Sequence, residues 1–465
     1  MVGMASPLGL LKAELRQRRD EGCSIPDDLV RRIGSLDSAA DEWNTTVTEE
    51  LYDGLMSLSP GSDLAAREPD ELEAIRGLRP AGYVDDMSWS PSDEELFDRF
   101  HGAWTGRCCG CASGKPVEAM GMRVVRGELA GRTSIKAYLE AADAWPLRDY
   151  FPAVAGGEEL PCVPSTLEHI AFMEPDDDIN YSLIGLMVLE ESGPDFSWLD
   201  VANAWTGRIP FGGIFTAETQ AVLNYWNNSA RMGRRRVNTT PEHTRLHRNP
   251  YREWIGAQIR SDGWAWACAG KPGLAAEFAY RDACWTHTRN GIYGEMFMAA
   301  MQAAAFVEND PHRLLEIGLG QIPAECRLAR GVRDCLGWID ADADWEAVMD
   351  RLEAQYPKMS PVHTINNALI CAMALVLGDM DTRVATTISV MAGLDTDCNG
   401  ASVGSIVGAA AGRSGFDESF ASPLNDTVKS TVIGVTETTM TELAHRHLAV
   451  WKTVDQYAAS RQMCP

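Results

Sequence analysis

The chain has 465 residues, 45% of them hydrophobic and 23% charged, and its 66 acidic against 41 basic side chains leave a net charge of −25. This composition excludes a disordered chain, a collagen-like repeat and a coiled-coil rod. So acidic a surface repels polyphosphate, so neither nucleic acid nor an anionic membrane is an expected partner, and an anionic substrate needs a local source of positive charge.

In chain order, residues 1–20 carry charges throughout, without the apolar stretch of a secretory signal, and no later apolar run has the length of a membrane span. The twelve cysteines are diluted in a long chain and are expected to be reduced thiols of a cytoplasmic protein. Cys108, Cys109 and Cys111 form the one cluster, but no Cys/His pair follows at zinc-site spacing, and they read as small helix-packing residues. Residues 1–95 are acidic and rich in turns (Ser59-Pro60-Gly61, Arg79-Pro80-Ala81-Gly82, Ser90-Pro91-Ser92), with short helical patches at 8–19 and 71–78. They are expected to form an N-terminal extension packed on a catalytic domain spanning 96–465. There the apolar periodicity is helical almost everywhere: 94–114, 181–191, 217–226, 251–260, 274–283, 295–308, 366–377, 383–391, 401–411 and 435–450. Several of these segments are apolar on all sides, which places them inside a large core. Alternating strands are absent, so the expected fold class is all-α.

Gly102, Gly106, Gly110 and Gly114 recur every fourth residue, a face that another backbone can approach closely. The segment that follows only outlines a phosphate loop, because Cys109 stands where the first glycine belongs and Pro116 where the Ser/Thr belongs. Pro116 is expected to push Lys115 out of helical geometry and end the helix, leaving Glu118 to point into a cleft. Asp176-Asp177-Asp178 precedes one apolar helix, and Asp395-Thr396-Asp397-Cys398 precedes another. A helix N-terminus needs one carboxylate, whereas adjacent carboxylates repel. Two such knots feeding buried helices point to a divalent cation held by oxygen, Mg²⁺, Mn²⁺ or Ca²⁺. The basic run Arg231–Arg236 reads as a solvated loop, or alternatively as a rim that attracts a diphosphate or an acidic partner.

The stretch from Gly102 to Glu118 resembles the opening helix and following glutamate of the ADP-ribosylglycohydrolase family. Asp176–Asp178 is similar to that family's Thr-Asp-Asp motif, Gly393 to Gly400 to its Gly-x-Asp-Thr-Asp-Thr motif, and Phe211 to Thr216 to its glycine loop. Thr286-His287 with Gly291-Ile292-Tyr293-Gly294 resembles its Thr-His segment, and the motifs keep the family order from about Phe97 to Gly412. The resemblance implies a compact orthogonal helical bundle with two Mg²⁺ or Mn²⁺ ions held by Asp176, Asp177, Asp178, Asp395, Asp397 and Cys398. It implies substrate contacts from Gly212, Gly213, Thr216, His287, Gly291 and Tyr293. Its chemistry is hydrolysis at ribose C1 of an ADP-ribosylated protein or an NAD-derived small molecule, with Glu118 as the acid–base residue. The chain departs from the pattern at Cys111, where the family has Asp, at Asp176, where it has Thr, and at Cys398, where it has Thr or Ser. Sulfur suits Mg²⁺ poorly, and Asp176 adds an oxygen in compensation. The cysteines leave a non-catalytic ADP-ribose or nucleotide binder as the alternative, against which the retention of Glu118, Asp395 and Asp397 argues. A purely structural bundle would leave the acidic knots without a task.

Overall fold

Two helices faced with glycine, Asp93–Gly114 and Thr396–Gly415, pack against each other through the middle of the molecule. The computed structural model of the protein describes residues 6–37, 40–228, 230–232, 235–237 and 239–462. Gly102, Gly106 and Gly110 of the first helix meet Gly408, Gly404 and Gly400 of the second. A Cβ on Gly106 would stand 1.9 Å from the Gly404 carbonyl oxygen, and one on Gly110 equally close to that of Gly400. Any side chain there would drive the backbones apart. The contact runs to the helix ends, where the Thr396 hydroxyl donates to the Gly114 carbonyl at 2.8 Å. The C-terminus of one helix therefore meets the N-terminus of the other, and the segment carrying Glu118 lies beside Asp395 and Asp397.

The surrounding helices Asp177–Ser192, Asn290–Ala304, Thr364–Leu377 and Val384–Met391 are buried over most of their lengths, because alanine, methionine and aliphatic residues cover every side. The fold is all-α: the strands among the described residues form four two-stranded antiparallel hairpins. No helix of the described residues is long and apolar enough to cross a membrane, and the described cysteines are all free thiols.

Three local expectations are corrected. Residues 251–260 are turns ending in a short 3₁₀ stretch, Gln258–Arg260, rather than a helix. Their backbone groups bond to other segments: Thr288 donates to the Arg252 carbonyl, Thr364 to that of Glu253, and Ile255 to that of Val362. Lys115 keeps right-handed helical angles, and Pro116 sits inside a 3₁₀ turn, Lys115–Val117, that tightens the helix end instead of expelling the lysine. The last helix starts at Met440 rather than 435, since a hairpin of Thr427–Lys429 with Glu437–Thr439 takes the preceding residues.

The N-terminal helices Pro7–Asp20, Asp27–Gly34 and Thr45–Met56 gather a separate apolar cluster around Leu11, Ile33, Leu51 and Leu55, whereas Ile75 already belongs to the main core. The joint between the two is ionic and buried. Glu14 accepts from Arg18 Nε at 2.7 Å, from Arg252 Nη1 at 2.9 Å and from the Tyr52 hydroxyl at 2.9 Å. Glu21 pairs with Arg252 and Arg289, each at 2.8 Å. Arg327 ties Glu253 to Glu68 at 2.6 and 2.8 Å.

Candidate metal centre

The two acidic knots are delivered by different devices. Asp176 caps the helix Asp177–Ser192, its Oδ1 accepting from the Asp178 amide at 3.0 Å. Asp395 follows a turn in which both Gly393 and Leu394 have positive φ, 81° and 60°. A leucine held there stores strain of about 1–3 kcal/mol, and the surroundings enforce it. The Leu394 amide donates to the Gly121 carbonyl at 3.1 Å, and the Asp395 amide donates to Asn367 Oδ1 at 3.2 Å.

All seven residues expected at the catalytic and metal positions come together. The potential ligand atoms of six of them, with that of Cys111, fall into three groups, each within 4.8 Å: Glu118, Asp395 and Asp397; Asp178, Asp397 and Cys398; Cys111, Asp176 and Asp178. Asp177 stands beside them on the wall of a cavity of about 470 Å³. The first two groups share Asp397. The third already holds a cation of the chain itself, because Lys115 Nζ lies 2.6 Å from Asp176 Oδ2 and 2.8 Å from the Pro175 carbonyl. Arg107 serves Asp178 in the same way, at 3.0 Å from its Oδ1, and also meets Asp262 at 2.6 Å.

Two fixed cations do not balance this many carboxylates. Asp397 pushes the Glu118 carboxyl up to about 9, with burial and the charges of Asp177 and Asp176 adding to the effect. Burial and then Asp176 raise Asp397 to about 6. Burial, followed by the neighbouring aspartates, lifts Asp177 and Asp395 well above the carboxylate range. Asp176 is the exception: burial opposes its ionisation, but Lys115 overcomes this and holds the carboxyl below its usual value. Oδ1 of Asp395 and Oδ2 of Asp178 are buried without a hydrogen-bond partner among the described residues. Oxygen-rich, charge-deficient and underbonded, the cluster fits hard divalent cations. Burial keeps the thiol of Cys398 protonated, which makes it the weakest ligand of the set.

The residues expected to hold substrate divide. Thr216 lines the cavity, together with Phe215, Glu218, Trp254 and Val362. Gly212 and Gly213 lie one turn earlier, in the short helix Phe211–Gly213, and are not part of that wall. His287 is fully buried, its Nδ1 2.8 Å from the Thr286 hydroxyl and its Nε2 3.8 Å from Glu218. Gly291 packs on His287 and the Arg252 carbonyl, and the Tyr293 hydroxyl donates to the Pro69 carbonyl. None of the three is part of the cavity wall, and His287 meets it through Glu218. The run Arg231–Arg236 lies partly outside the described residues.

Sequence reasoning missed Glu218, whose carboxyl faces the cavity and is raised to about 7 mainly by burial, against the pull of Arg260 at 2.9 Å. It also missed the partners of Arg107 and Lys115. The signal available for Arg107 was its position in a glycine-faced helix, where a buried guanidinium demands a carboxylate opposite.

A family model described as ADP-ribosylglycohydrolase matches residues 92–456. Forty chains of solved structures also match. One, described as an ADP-ribosylglycohydrolase-related protein complex, is 17% identical with a TM-score of 0.44, and the match covers 77% of this chain and 99% of that one. No curated protein matches.

Proposed function

The chain belongs to the ADP-ribosylglycohydrolase family, and on that premise we propose that it is a metal-dependent hydrolase cleaving the bond at ribose C1 of an ADP-ribosylated protein or an NAD-derived ribosyl compound. The observation that carries this reading is the sharing of Asp397 between two ligand groups at the base of one cavity. Asp395 and Asp397 would hold one Mg²⁺ or Mn²⁺ beside Glu118, and Asp178, Asp397 and Cys398 a second, with Asp177 alongside. Such ions supply positive charge that orients ribose hydroxyls and acidifies water. Asp176 stays with Lys115 and positions the capped helix.

Glu118 is half-buried at the head of the short helix Glu118–Gly121, facing the cavity. Departure of the group on C1 builds oxocarbenium character and needs a proton, while the incoming water must lose one. Glu118 is suited to exchange both, since it stands beside the aspartates without a fixed hydrogen bond among the described residues. The glycine-helix contact holds it there.

The test is incubation of the Mg²⁺- or Mn²⁺-loaded protein with ADP-ribosylated proteins and small ribosides, with products identified by mass spectrometry. Release of ADP-ribose or ribose supports the reading, and Glu118→Gln should slow turnover about 10²- to 10⁴-fold with metal uptake intact. A second reading, a binder without catalysis, is favoured by Cys111 and Cys398 in the cluster. Tight ADP-ribose binding without release from any substrate would establish it.

A further inference from the structure

A second cavity, of about 580 Å³, opens from the first, and the two share Trp254, Ser360 and Pro361 in their walls. Its charge is opposite. The inner cavity is lined by Glu118, Asp177, Glu218, Asp395 and Asp397 without a basic residue, whereas Arg16, Arg19 and Lys358 line the outer one against the single acid Asp20. Arg16 and Arg19 belong to the N-terminal helix Pro7–Asp20. On the opposite side of that helix Glu14 and Arg18 are buried in the ionic joint, which fixes the helix and turns Arg16 and Arg19 outward to solvent. Among the described residues no carboxylate lies within ion-pair distance of Arg16, Arg19 or Lys358. In a chain of net charge −25, three cations outside any ion pair of the described residues, with Asp20 the one acid beside them, are the local positive charge that an anionic substrate requires.

We infer that Arg16 and Arg19, with Lys358 from the facing loop, form an anion subsite for the phosphate groups of the ribosyl substrate, so that the N-terminal helix completes the substrate cleft. The inference rests on the function proposed above and assigns to the N-terminal region a part in recognition. The sugar end of the ligand enters the acidic chamber, and the phosphate end lies in the basic one. Guanidinium groups suit this task, because their forked donors match phosphate oxygens.

The experiment is calorimetric titration of the Mg²⁺-loaded protein with ADP-ribose and, separately, with adenosine, for the native chain, Arg16→Glu/Arg19→Glu, Lys358→Glu and Arg16→Lys/Arg19→Lys. Both arginines are exposed, so the fold should survive, as a thermal melt verifies. ADP-ribose affinity should fall at least about tenfold in both glutamate variants, and the lysine variant should recover most of it. Adenosine binding should be unchanged, and raised salt should weaken ADP-ribose binding to the native chain more than to the variants. If the native chain binds ADP-ribose and the glutamate variants bind it within about twofold, the subsite is overturned and the function above stands. Equal losses for adenosine and ADP-ribose would overturn it as well, since the effect would then be structural. If the loaded native chain binds no ADP-ribose, the function above falls and the subsite with it.

Discussion

At the joint between the N-terminal helices and the core, Glu14, Glu21, Glu68 and Glu253 are buried; in the cleft, so are Asp178, Asp395 and Asp397. The joint gives its carboxylates Arg18, Arg252, Arg289 and Arg327 at 2.6–3.2 Å. Burial opposes ionisation of Glu14 and Glu253, yet these guanidinium groups hold both below the usual glutamate range. Among the described residues the cleft has only Lys115 and Arg107, and apart from Asp176, which Lys115 holds low, its carboxyls are raised, Glu118 to about 9. Burial is common to both regions, so burial does not mark the functional one. The shortage of fixed cations does. A region whose charges close among themselves holds segments together, and one whose charges do not close is left to take up a cation from solution.

The comparison breaks first at Arg252. Replacing it with leucine takes a buried partner from both Glu14 and Glu21, leaving them Arg18 and Arg289, and losing one side of a buried ion pair typically costs about 3–5 kcal/mol. Denaturant unfolding should register that loss, and a change below about 1 kcal/mol would mean that apolar packing alone secures the N-terminal helices. Glu218 is an intermediate case: Arg260 serves it at 2.9 Å while also meeting Asp282 at 2.6 Å and Glu295 at 3.7 Å. Its carboxyl is raised from the usual value of 4.5 to about 7. A raised carboxyl contributes stability that is present below its unfolded pKa and lost as pH climbs through the folded one. Relative to Glu218→Gln, the native chain should therefore lose about 3 kcal/mol between pH 4.5 and 8. A pH-independent difference between the two would place that proton elsewhere.

Asp397 sharpens the comparison from the other side. Asp397→Asn removes the ligand common to both groups and the charge that most raises Glu118. The metal-free variant should be no less stable than the native chain, while the stabilisation gained from metal, about 2.7 kcal/mol at a hundredfold excess over Kd, should vanish. Thermal melts with and without Mn²⁺ separate the two effects, and an undiminished metal-dependent shift would show that the ligands lie elsewhere.

How much of this was legible in the sequence follows from what kind of interaction each feature depends on. The glycine row and the two acidic knots are local patterns, and they gave the helical core, the central contact and the residues that converge at the cluster. The ionic joint was not legible, because Glu14 meets Arg252 across 238 positions and nothing near either residue names its partner. For the same reason 251–260 looked helical: its backbone bonds go to Thr288, Thr364 and Val362, which no local window contains. His287, Gly291 and Tyr293 were legible as a motif, but their burial away from the cavity wall is a property of packing.

Cys398 offers the smallest effect and the finest distinction. Its backbone amide donates to Asp397 Oδ1 at 3.0 Å, so the residue is fixed beside the shared ligand whatever its side chain does. Its thiol is held protonated by burial and the surrounding aspartates, so metal binding there must either expel a proton or leave sulfur a distant neighbour. Mn²⁺ tolerates sulfur better than Mg²⁺. The native chain should therefore favour Mn²⁺, and Cys398→Thr, of similar size with a hard oxygen, should narrow the preference by less than about 1.4 kcal/mol, a factor of ten in relative affinity. Competitive titration of the two metals into both proteins measures it. An unchanged Mn²⁺:Mg²⁺ ratio would mean that the sulfur does not touch the second ion, and that Asp178 and Asp397 hold it without help from position 398.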